Sequence, residues 1–322
     1  MAKAPGKAHR EGISFIELAD MFPDEETATK WFESLIWPNG RHCPRCGSVE
    51  TSEAAATSGL PYYCSGCHKP FSVKIGTALE RSRVPLRKWA IAIYFEMVSL
   101  KGVSSMRLHR DLKVTQKTAW FMQQRIREAW AGKGEAMMAG PVEVDETYVG
   151  GKMKNMHGDK RREARNKPDY GKTIVAGAKD RATGAVRAQV IEAADKETLA
   201  AFVGTHAAPD AAIYTDEARA YSGLPNRETV NHSAGEYVTD DGVSTNGIEA
   251  LWAVIKRAQN GVYHKLSPKH LHRYVAGFAA KHNIRDADTL DQMASVVAGM
   301  VGKRLMYRDL IADNGLSSGA RT

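Results

Sequence analysis

The stretch "VEVDETYVGGK" (142–152) places two carboxylates, Asp145 and Glu146, inside a valine-rich run that alternates like a strand. An ionised carboxylate that is buried without a partner is costly, so such a residue pairs with a cation, takes up a proton or binds a metal. Successive strand residues point to opposite faces of a sheet, so the two acids serve different sides. The run therefore raises the question of what neutralises Asp145.

Further strand and helix patterns follow this run in a definite order. "VEVDETYV", "KTIVAGAKDR" and "GAVRAQVIEA" read as three strands, "DKETLAAFVGTHA" as a helix, "AAIYTDEARAY" as a fourth strand and "STNGIEALWAVIKRAQNG" as a helix. We expect Ser244 or Thr245 to cap that last helix. This order is typical of the ribonuclease-H-like architecture, an α/β fold with a mixed sheet and flanking helices.

In such a fold the first and fourth strands are neighbours, which predicts that Asp145 and Asp216 come within metal-bridging reach. Asn246, Glu249 and Lys256 fall at steps of three and seven, so they share one face of the late helix. Ligands that all offer oxygen favour Mg²⁺ or Mn²⁺ over zinc, and two such ions promote in-line attack at phosphorus. We therefore predict a magnesium site at Asp145, Asp216 and Glu249, although a lone strand aspartate is more often a surface residue.

All four cysteines of the chain lie in one short segment, "CPRCGSVETSEAAATSGLPYYCSGC" (43–67). Two CxxC knuckles at this spacing match a tetrahedral zinc site in which each knuckle supplies two thiolates. The predicted zinc ligands are Cys43, Cys46, Cys64 and Cys67. Two disulfides or a redox CxxC are the alternatives. We expect the adjacent His42 and His68 not to bind the metal, since four thiolates already fill a structural site.

The segment "KGVSSMRLHRDLKVTQKTAWFMQQRIREAWA" (101–131) carries two short amphipathic patterns around "LKVTQ". The second begins at Thr115, a residue type that favours the N-cap position. Together the patterns predict a helix-turn-helix, whose second helix enters the major groove of DNA. On that helix we expect DNA contacts from Lys117, Gln124 and Arg125. The alternative is a helical linker with a solvated basic face.

The charge balance favours a polyanionic partner. The net charge is +8 and the isoelectric point is near 9.2, and neutralising phosphates with basic side chains releases counterions. No window approaches the roughly 18 apolar residues of a membrane span. The start, "MAKAPGKAHREG", lacks the apolar region of a secretory signal, which predicts a cytoplasmic protein.

Two basic runs add candidate DNA contacts. "KMKNMHGDKRREARNKPDYGK" (152–172) holds eight Lys or Arg against three acids, and "YHKLSPKHLHRY" (263–274) follows the late helix. We expect the first run to be a loop that grips the phosphate backbone, the alternative being a disordered, solvated loop. The candidate residues of the two runs are Lys160, Arg161, Arg162, Arg165, Lys265 and Lys269.

The chain as a whole resembles the insertion-sequence transposases of the ISXO-like group, which are related to eukaryotic Merlin elements. The resemblance spans roughly residues 30–285. It is carried by "CPRCGS", "YYCSGC", "FSVKIGTALERSRVPLRKWAIAIYFEM", "VEVDETYVGGK", "IYTDEARAY" and "STNGIEALWAVIKRAQNGVYHKLSPKHLHRYVAGFAAKHN". No single motif decides the resemblance, but the set and its order are specific.

The resemblance implies a DDE-type DNA transposase that binds terminal inverted repeats, exposes 3′-hydroxyls and joins them to target DNA. It carries the two aspartates over to Asp145 and Asp216. It leaves the third ligand open between Glu249 and Asn246, because members are described with either Glu or Asn there. Lys256 resembles a basic residue that contacts the terminal nucleotide, and Arg257 beside it is a further candidate DNA contact. Because two DNA ends must be held together, a homodimer or larger assembly is expected on double-stranded DNA.

Two rival functions stay open from the sequence. One is a zinc-ribbon DNA-binding regulator whose second domain is inactive, and the other is a ribonuclease-H-like nuclease that never transfers strands. We favour the transposase interpretation because the chain combines predicted DNA-binding modules with the carboxylates. A general nuclease needs no dedicated DNA-binding module.

The predicted domain organisation has five parts. They are N-terminal helices (1–38), a zinc ribbon (39–82), a helical DNA-binding region (83–135), the ribonuclease-H-like catalytic domain (140–286), and C-terminal helices with a tail (287–322).

Overall fold

The computed structural model describes residues 11–130, 136–151, 157–164, 170–230 and 243–318. They form two compact units. The first unit comprises Met1–Ala131 and Arg285–Ala312, and the second comprises Gly132–Ile284 and Asp313–Thr322. The sequence patterns predicted a separate C-terminal part from residue 287 onward. That part is divided after Ala312 between the first and the second unit.

The first unit is mostly helical around a small sheet. Its helices are α1 (Phe15–Met21), α2 (Glu25–Ile36), α3 (Leu86–Val98), α4 (Ser105–Leu112), α5 (Gln116–Glu128), α10 (Thr289–Gly299) and α11 (Tyr307–Ile311). Its strands are β1 (Thr51–Glu53), β2 (Tyr62–Cys64) and β3 (Lys69–Phe71), paired antiparallel in that order. The rings of Trp37 and Phe71 pack edge to face at 6.0 Å and join α2 to this ribbon.

The helix-turn-helix prediction is confirmed as a pair of helices. Ser104 caps α4 by accepting a hydrogen bond from the backbone of Arg107, and Thr115 caps α5 in the same way from Thr118. Lys113 ends α4 in the left-handed region at φ 49°. Short polar side chains at both N-caps explain why the sequence pattern located these helices well.

The predicted DNA contacts at Gln124 and Arg125 are wrong, because the C-terminal half of α5 is buried. Gln124 is 0% and Arg125 4% exposed. The Arg125 guanidinium donates to the carbonyl oxygens of Leu305 and Glu80 at 3.2 and 2.9 Å, and it lies 4.3 Å from the centre of the Phe121 ring. Arg125 is therefore part of the buried core of the first unit. The amphipathic pattern of α5 alone did not predict this burial.

The second unit contains one mixed five-stranded sheet. Its strands are β4 (Val142–Gly150), β5 (Lys172–Asp180), β6 (Val186–Ile191), β7 (Ile213–Thr215) and β8 (Arg227–Thr229). Its helices are α6 (Gly158–Ala164), α7 (Lys196–His206), α8 (Asn246–Ala258) and α9 (Pro268–Asn283). A short π-helical turn, Gln259–Tyr263, follows α8. The described part of the basic run after Gly151 includes α6, where only a loop was expected.

The strand order is β6-β5-β4-β7-β8. β4, β5 and β6 pair antiparallel, whereas β4 with β7 and β7 with β8 are parallel. This is the ribonuclease-H-like order predicted from the sequence, with the first and fourth strands of the unit side by side. The short fifth strand, β8, was not predicted.

Helices cover both faces of this sheet. Val142, Val144 and Ala176 pack with α7 on one face, while Val149 and Val175 pack with α8 and α9 on the other. The alternation of β4 therefore sends Asp145 toward the α8 face and Glu146 toward the α7 face. Among the described residues, no helix is both long and apolar enough to cross a membrane.

Candidate active site

The four cysteines of the ribbon form a compact group of free thiols. Their Sγ atoms all lie within 4.8 Å of one another. The Sγ atoms of Cys43 and Cys67 are 3.7 Å apart, and those of Cys46 and Cys64 are 3.6 Å apart. A disulfide requires about 2.05 Å, whereas thiolates about 2.3 Å from one tetrahedral zinc lie roughly 3.8 Å apart. The group therefore fits a single zinc ion and not two disulfides.

Backbone turns bring the two knuckles into this geometry. The amide of Gly47 donates to the carbonyl of Cys43, and the amide of His68 donates to the carbonyl of Cys64, each at 2.9 Å. Gly47 and His68 adopt positive φ angles of 76° and 55° in these turns. The Nδ1 atom of His68 lies 3.3 Å from the Tyr63 hydroxyl oxygen. The four-cysteine group includes neither His42 nor His68.

Asp145 lies half-buried on β4 and accepts a hydrogen bond of 2.8 Å from the indole Nε1 of Trp252 on α8. Burial, the largest cause, and the negative charges of Glu146 and Asp216 together raise the pKa of Asp145 to about 7, although the hydrogen bond from Trp252 opposes the rise. The site thus holds negative charges close enough to disfavour the ionisation of Asp145. A cation at this position would relieve that repulsion.

A glycine on the neighbouring strand makes the Trp252 contact possible. Gly177 is the residue of β5 that pairs with Asp145. A Cβ atom at Gly177 would lie 2.5 Å from the Trp252 ring, well inside contact distance. The missing side chain therefore leaves room for the indole to approach β5 beside the aspartate.

Asp216 follows β7 directly and lies on a tight turn. Its Oδ1 accepts a hydrogen bond of 3.0 Å from the amide of Ala218. The guanidinium of Arg227, on β8, donates to the Thr215 hydroxyl at 2.8 Å and to the Asp216 carbonyl at 2.7 Å. Arg227 lies on the unpredicted edge strand β8. Its hydrogen bonds therefore hold the turn that carries Asp216.

The late helix α8 presents the remaining candidate ligands. Glu249 is half-buried in its first turn and accepts a hydrogen bond of 2.9 Å from the Thr245 hydroxyl. Asn246, the first residue of α8, is exposed, as is Lys256 about three turns further on. Thr245 occupies the expected N-cap position, but its side chain bonds Glu249 instead of capping a backbone amide.

The N-terminus of α8 is capped from β4 instead. Glu143, only 3% exposed, accepts a hydrogen bond of 2.9 Å from the amide of Ile248. A carboxylate at a helix N-terminus satisfies an otherwise unpaired donor and suits the helix dipole. Glu143 is two residues before Asp145 and on the same face, so one strand face both carries the aspartate and sets the position of α8. The two-residue spacing of Glu143 and Asp145 in "VEVDE" puts both acids on one face of the strand. This spacing is the sequence signal that could have identified Glu143.

The three predicted magnesium ligands are not gathered as tightly as the thiols. Among the described residues, the four cysteines form the only group of three or more His, Cys, Asp or Glu ligand atoms lying within 4.8 Å of one another. Asp145 and Asp216 influence each other electrostatically. Glu249 lies on α8, the helix that Asp145 contacts through Trp252.

Two comparisons with known proteins bear on this arrangement. The sequence profile of the ISXO2-like transposase domain matches residues 137–283, and that of the transposase zinc-ribbon domain matches residues 23–70. Together the two matches span more than half of the chain. The chain is an insertion-sequence transposase that carries an ISXO2-like transposase domain. Its second unit is the transposase domain, and its cysteine group lies in the transposase zinc ribbon.

A curated relative of this transposase comes from Halobacterium salinarum. It is an uncharacterized protein in transposable element ISH50, 29% identical over 249 residues, which cover 73% of this chain and 83% of the relative. The aligned length exceeds the transposase domain alone.

The basic residues of the transposase that were predicted to contact DNA divide by exposure. Lys269 is only 7% exposed, which makes that prediction wrong, because the first turn of α9 packs inward. Lys160 lies within α6, and Arg165 falls outside the described residues. The predicted contacts that are exposed are Lys117, Arg161, Arg162, Lys256, Arg257 and Lys265.

Proposed function

We propose that this transposase binds the terminal inverted repeats of its insertion sequence, cleaves the DNA strands there and transfers the resulting 3′-hydroxyls to target DNA. The observation that carries the proposal is the pair of aspartates just beyond the paired residues of two neighbouring parallel strands, one of them with its pKa raised to about 7 by burial and adjacent carboxylates. A site of this kind holds negative charge that only a cation offsets fully.

The donors of this site suit a hard divalent cation. Asp145 and Asp216 offer carboxylate oxygens, which Mg²⁺ and Mn²⁺ prefer, and no His or Cys is among the candidate ligands. Glu249 is the better third ligand, because it is half-buried and charged whereas Asn246 is an exposed amide. When bound, divalent ions supply an activated water or 3′-hydroxyl and stabilise the leaving oxygen.

The protein's own residues hold the acids in place for this chemistry. The Trp252 N–H orients the carboxylate of Asp145, and the Arg227 guanidinium holds the backbone around Asp216. Glu143 fixes the first turn of α8, where Glu249 lies. Each of these contacts joins a different element to the acids, so preorganisation depends on the whole unit.

DNA binding is supported by the exposed basic residues of both units. Lys117 stands at the N-terminal end of α5, where a recognition helix makes its base contacts. Lys256 and Arg257 are exposed at the end of α8, and Arg161 and Arg162 are exposed on α6. We propose that a homodimer or larger assembly holds two ends at once.

The experiment is a cleavage and joining assay with the zinc-loaded protein, labelled terminal-repeat DNA and Mg²⁺. Wild type is expected to release 3′-hydroxyl ends and form joined product. Asp145→Asn and Asp216→Asn are expected to lower cleavage at least a thousandfold while binding the DNA with nearly unchanged affinity. The matched control is Glu217→Gln, which removes an exposed acid next to Asp216 and should leave cleavage within about twofold.

The same assay distinguishes the rival functions. Binding without any cleavage would identify a DNA-binding regulator, and cleavage without joined product would identify a nuclease. In parallel, Glu249→Gln and Asn246→Ala assign the third ligand, since we expect only the first to abolish cleavage. The opposite result would transfer that role to Asn246.

The contribution of α5 is tested by DNA affinity. Lys117→Ala is expected to weaken end binding several-fold and to reduce the salt dependence by about one phosphate contact. Lys30→Ala, which removes an exposed lysine of α2 that pairs with Glu26, is the control and should change neither quantity. Equal effects from both variants would refute a specific contact by α5.

A further inference from the structure

The proposed reaction needs Asp145 and Asp216 at a defined separation, yet backbone pairing alone does little to set it. β4 and β7 pair only through Val142 with Ile213 and Glu143 with Tyr214. Asp216 lies beyond the end of β7, in irregular backbone. The ladder therefore ends before it reaches either aspartate.

One side-chain hydrogen bond spans this region. The hydroxyl of Tyr221 donates to the carboxylate of Glu146. Glu146 is adjacent to Asp145 on β4, and Tyr221 ends the short 3₁₀ helix Arg219–Tyr221 that continues the turn from Asp216. The bond thus ties the turn that carries one aspartate to the strand that carries the other.

The surroundings favour a durable contact. Tyr221 is 0% exposed and packs in the core on the α7 face of the sheet. Glu146 is half-buried, and its strand position directs it to that same face, away from the α8 face to which Asp145 points. Hydrogen bonds to a charged group are stronger than neutral ones, and a buried carboxylate left without its donor is costly.

We propose that Tyr221 and Glu146 form a brace that sets the separation of Asp145 and Asp216, and that both are positioning residues for the divalent metal site. The inference rests on the proposed function. In this arrangement Glu146 binds no metal itself, because its role is to accept the Tyr221 hydroxyl. Neither residue was a predicted ligand, and the alternation of the strand placed Glu146 on the face opposite Asp145.

The test uses the full-length, zinc-loaded protein and Mn²⁺ as the probe. Mn²⁺ affinity is measured by the electron paramagnetic resonance signal of the free ion, without DNA, and cleavage of terminal-repeat DNA is measured separately. Tyr221→Phe removes the hydroxyl and keeps the ring in the core. It is expected to weaken Mn²⁺ binding at least tenfold and to lower kcat at least tenfold, with KM for DNA unchanged.

A second substitution separates the bond from the charge. Glu146→Gln keeps an oxygen that accepts from the Tyr221 hydroxyl, so it should retain Mn²⁺ affinity and kcat within about threefold, whereas Glu146→Ala should match Tyr221→Phe. The double variant Tyr221→Phe with Glu146→Ala should be no worse than the poorer single variant, because both remove one interaction. Tyr214→Phe, on β7, is the control and should behave as wild type.

The outcomes separate the two levels of inference. If wild type neither binds Mn²⁺ nor cleaves DNA, the proposed function fails. If wild type does both and Tyr221→Phe matches it, only the brace is refuted. A tenfold loss in Glu146→Gln would also refute it, since the charge and not the hydrogen bond would then matter. That variant decides the question even where Tyr221→Phe does not fold.

Discussion

The two sites of this transposase that suit metal ions are built in opposite ways. The zinc ligands lie between residues 43 and 67 and reach one another through two backbone turns and a small antiparallel sheet. The candidate catalytic acids lie between residues 145 and 249 and belong to β4, the turn after β7, and α8. The first site is a local structure, whereas the second exists only after a five-stranded sheet and a helix have assembled.

This difference matches the structural role expected of the cysteine group and the catalytic role expected of the acids. Four thiolates within 4.8 Å of one another fill a tetrahedral shell and leave no open position. The acids are less tightly gathered, and Asp145 has its pKa raised to about 7. A structural metal contributes folding energy through a closed shell, while a catalytic site keeps charge repulsion that the ion relieves.

The largest effect is expected at the zinc site. Cys43→Ser should abolish zinc binding and unfold the ribbon, because structural zinc contributes on the order of 10 kcal/mol to such small modules. Zinc content and the near-ultraviolet circular dichroism of the aromatic cluster around Trp37 measure this. His42→Ala is the control, since His42 lies outside the ligand group, and it should retain one zinc per chain. Equal zinc loss in the two variants would contradict a four-thiolate site.

An intermediate effect is expected where the active site depends on close packing. Gly177→Ala should destabilise the second unit by about 2 kcal/mol, because the new methyl group would meet the Trp252 ring at 2.5 Å. Urea unfolding measures the change. Gly204→Ala, on α7, is the matched control. Its Cβ would meet nothing within 4 Å, so this variant should gain about 0.5 to 1 kcal/mol. A tolerated Gly177→Ala would mean that the indole does not need this surface.

The third expected effect has the opposite sign. In the zinc-loaded protein without Mg²⁺, Asp145→Asn should increase the free energy of unfolding by about 1 to 3 kcal/mol at pH 8, since it removes a buried charge and keeps an oxygen for Trp252. The pKa of Asp145 is raised to about 7 in the folded state, so the unfolded chain ionises first. Wild type therefore loses stability between about pH 4 and pH 7.

The difference between wild type and Asp145→Asn should accordingly be largest above pH 7 and disappear near pH 4. Urea unfolding across this range measures it, with Glu217→Gln as an exposed control that should show no such trend. A destabilised Asp145→Asn at pH 8 would make Asp145 a structural residue and remove the contrast with the cysteines.

Local patterns predicted much of this molecule. Spacing alone located the zinc ligands, and alternation in "VEVDETYV" placed Asp145 and Glu146 on opposite faces, as the contacts of Trp252 and Tyr221 show. The N-cap residue type at Thr115 marked the start of the second helix of the pair. The edge strand β8 escaped prediction because three residues carry too little periodicity to register.

Remote contacts account for what the patterns missed. Leu86 and Arg87, at the start of α3, donate their amides to Glu25 of α2 at 2.6 and 2.9 Å, and α8 is capped by Glu143 of β4. Neither cap can be found by scanning the residues next to the helix. The burial of Arg125 likewise depends on partners far along the chain, the carbonyl oxygens of Leu305 and Glu80.

The sequence by itself located the four-cysteine group, the order of the first four strands and the main helices of the second unit, and the two aspartates as candidates, because each depends on spacing within a few tens of residues. Only the tertiary structure decided which basic residues reach solvent and which side chains hold the aspartates. Those properties depend on the packing of distant segments, and Arg227 and Tyr221 meet their partners only once β8 and the turn after β7 have docked on the sheet.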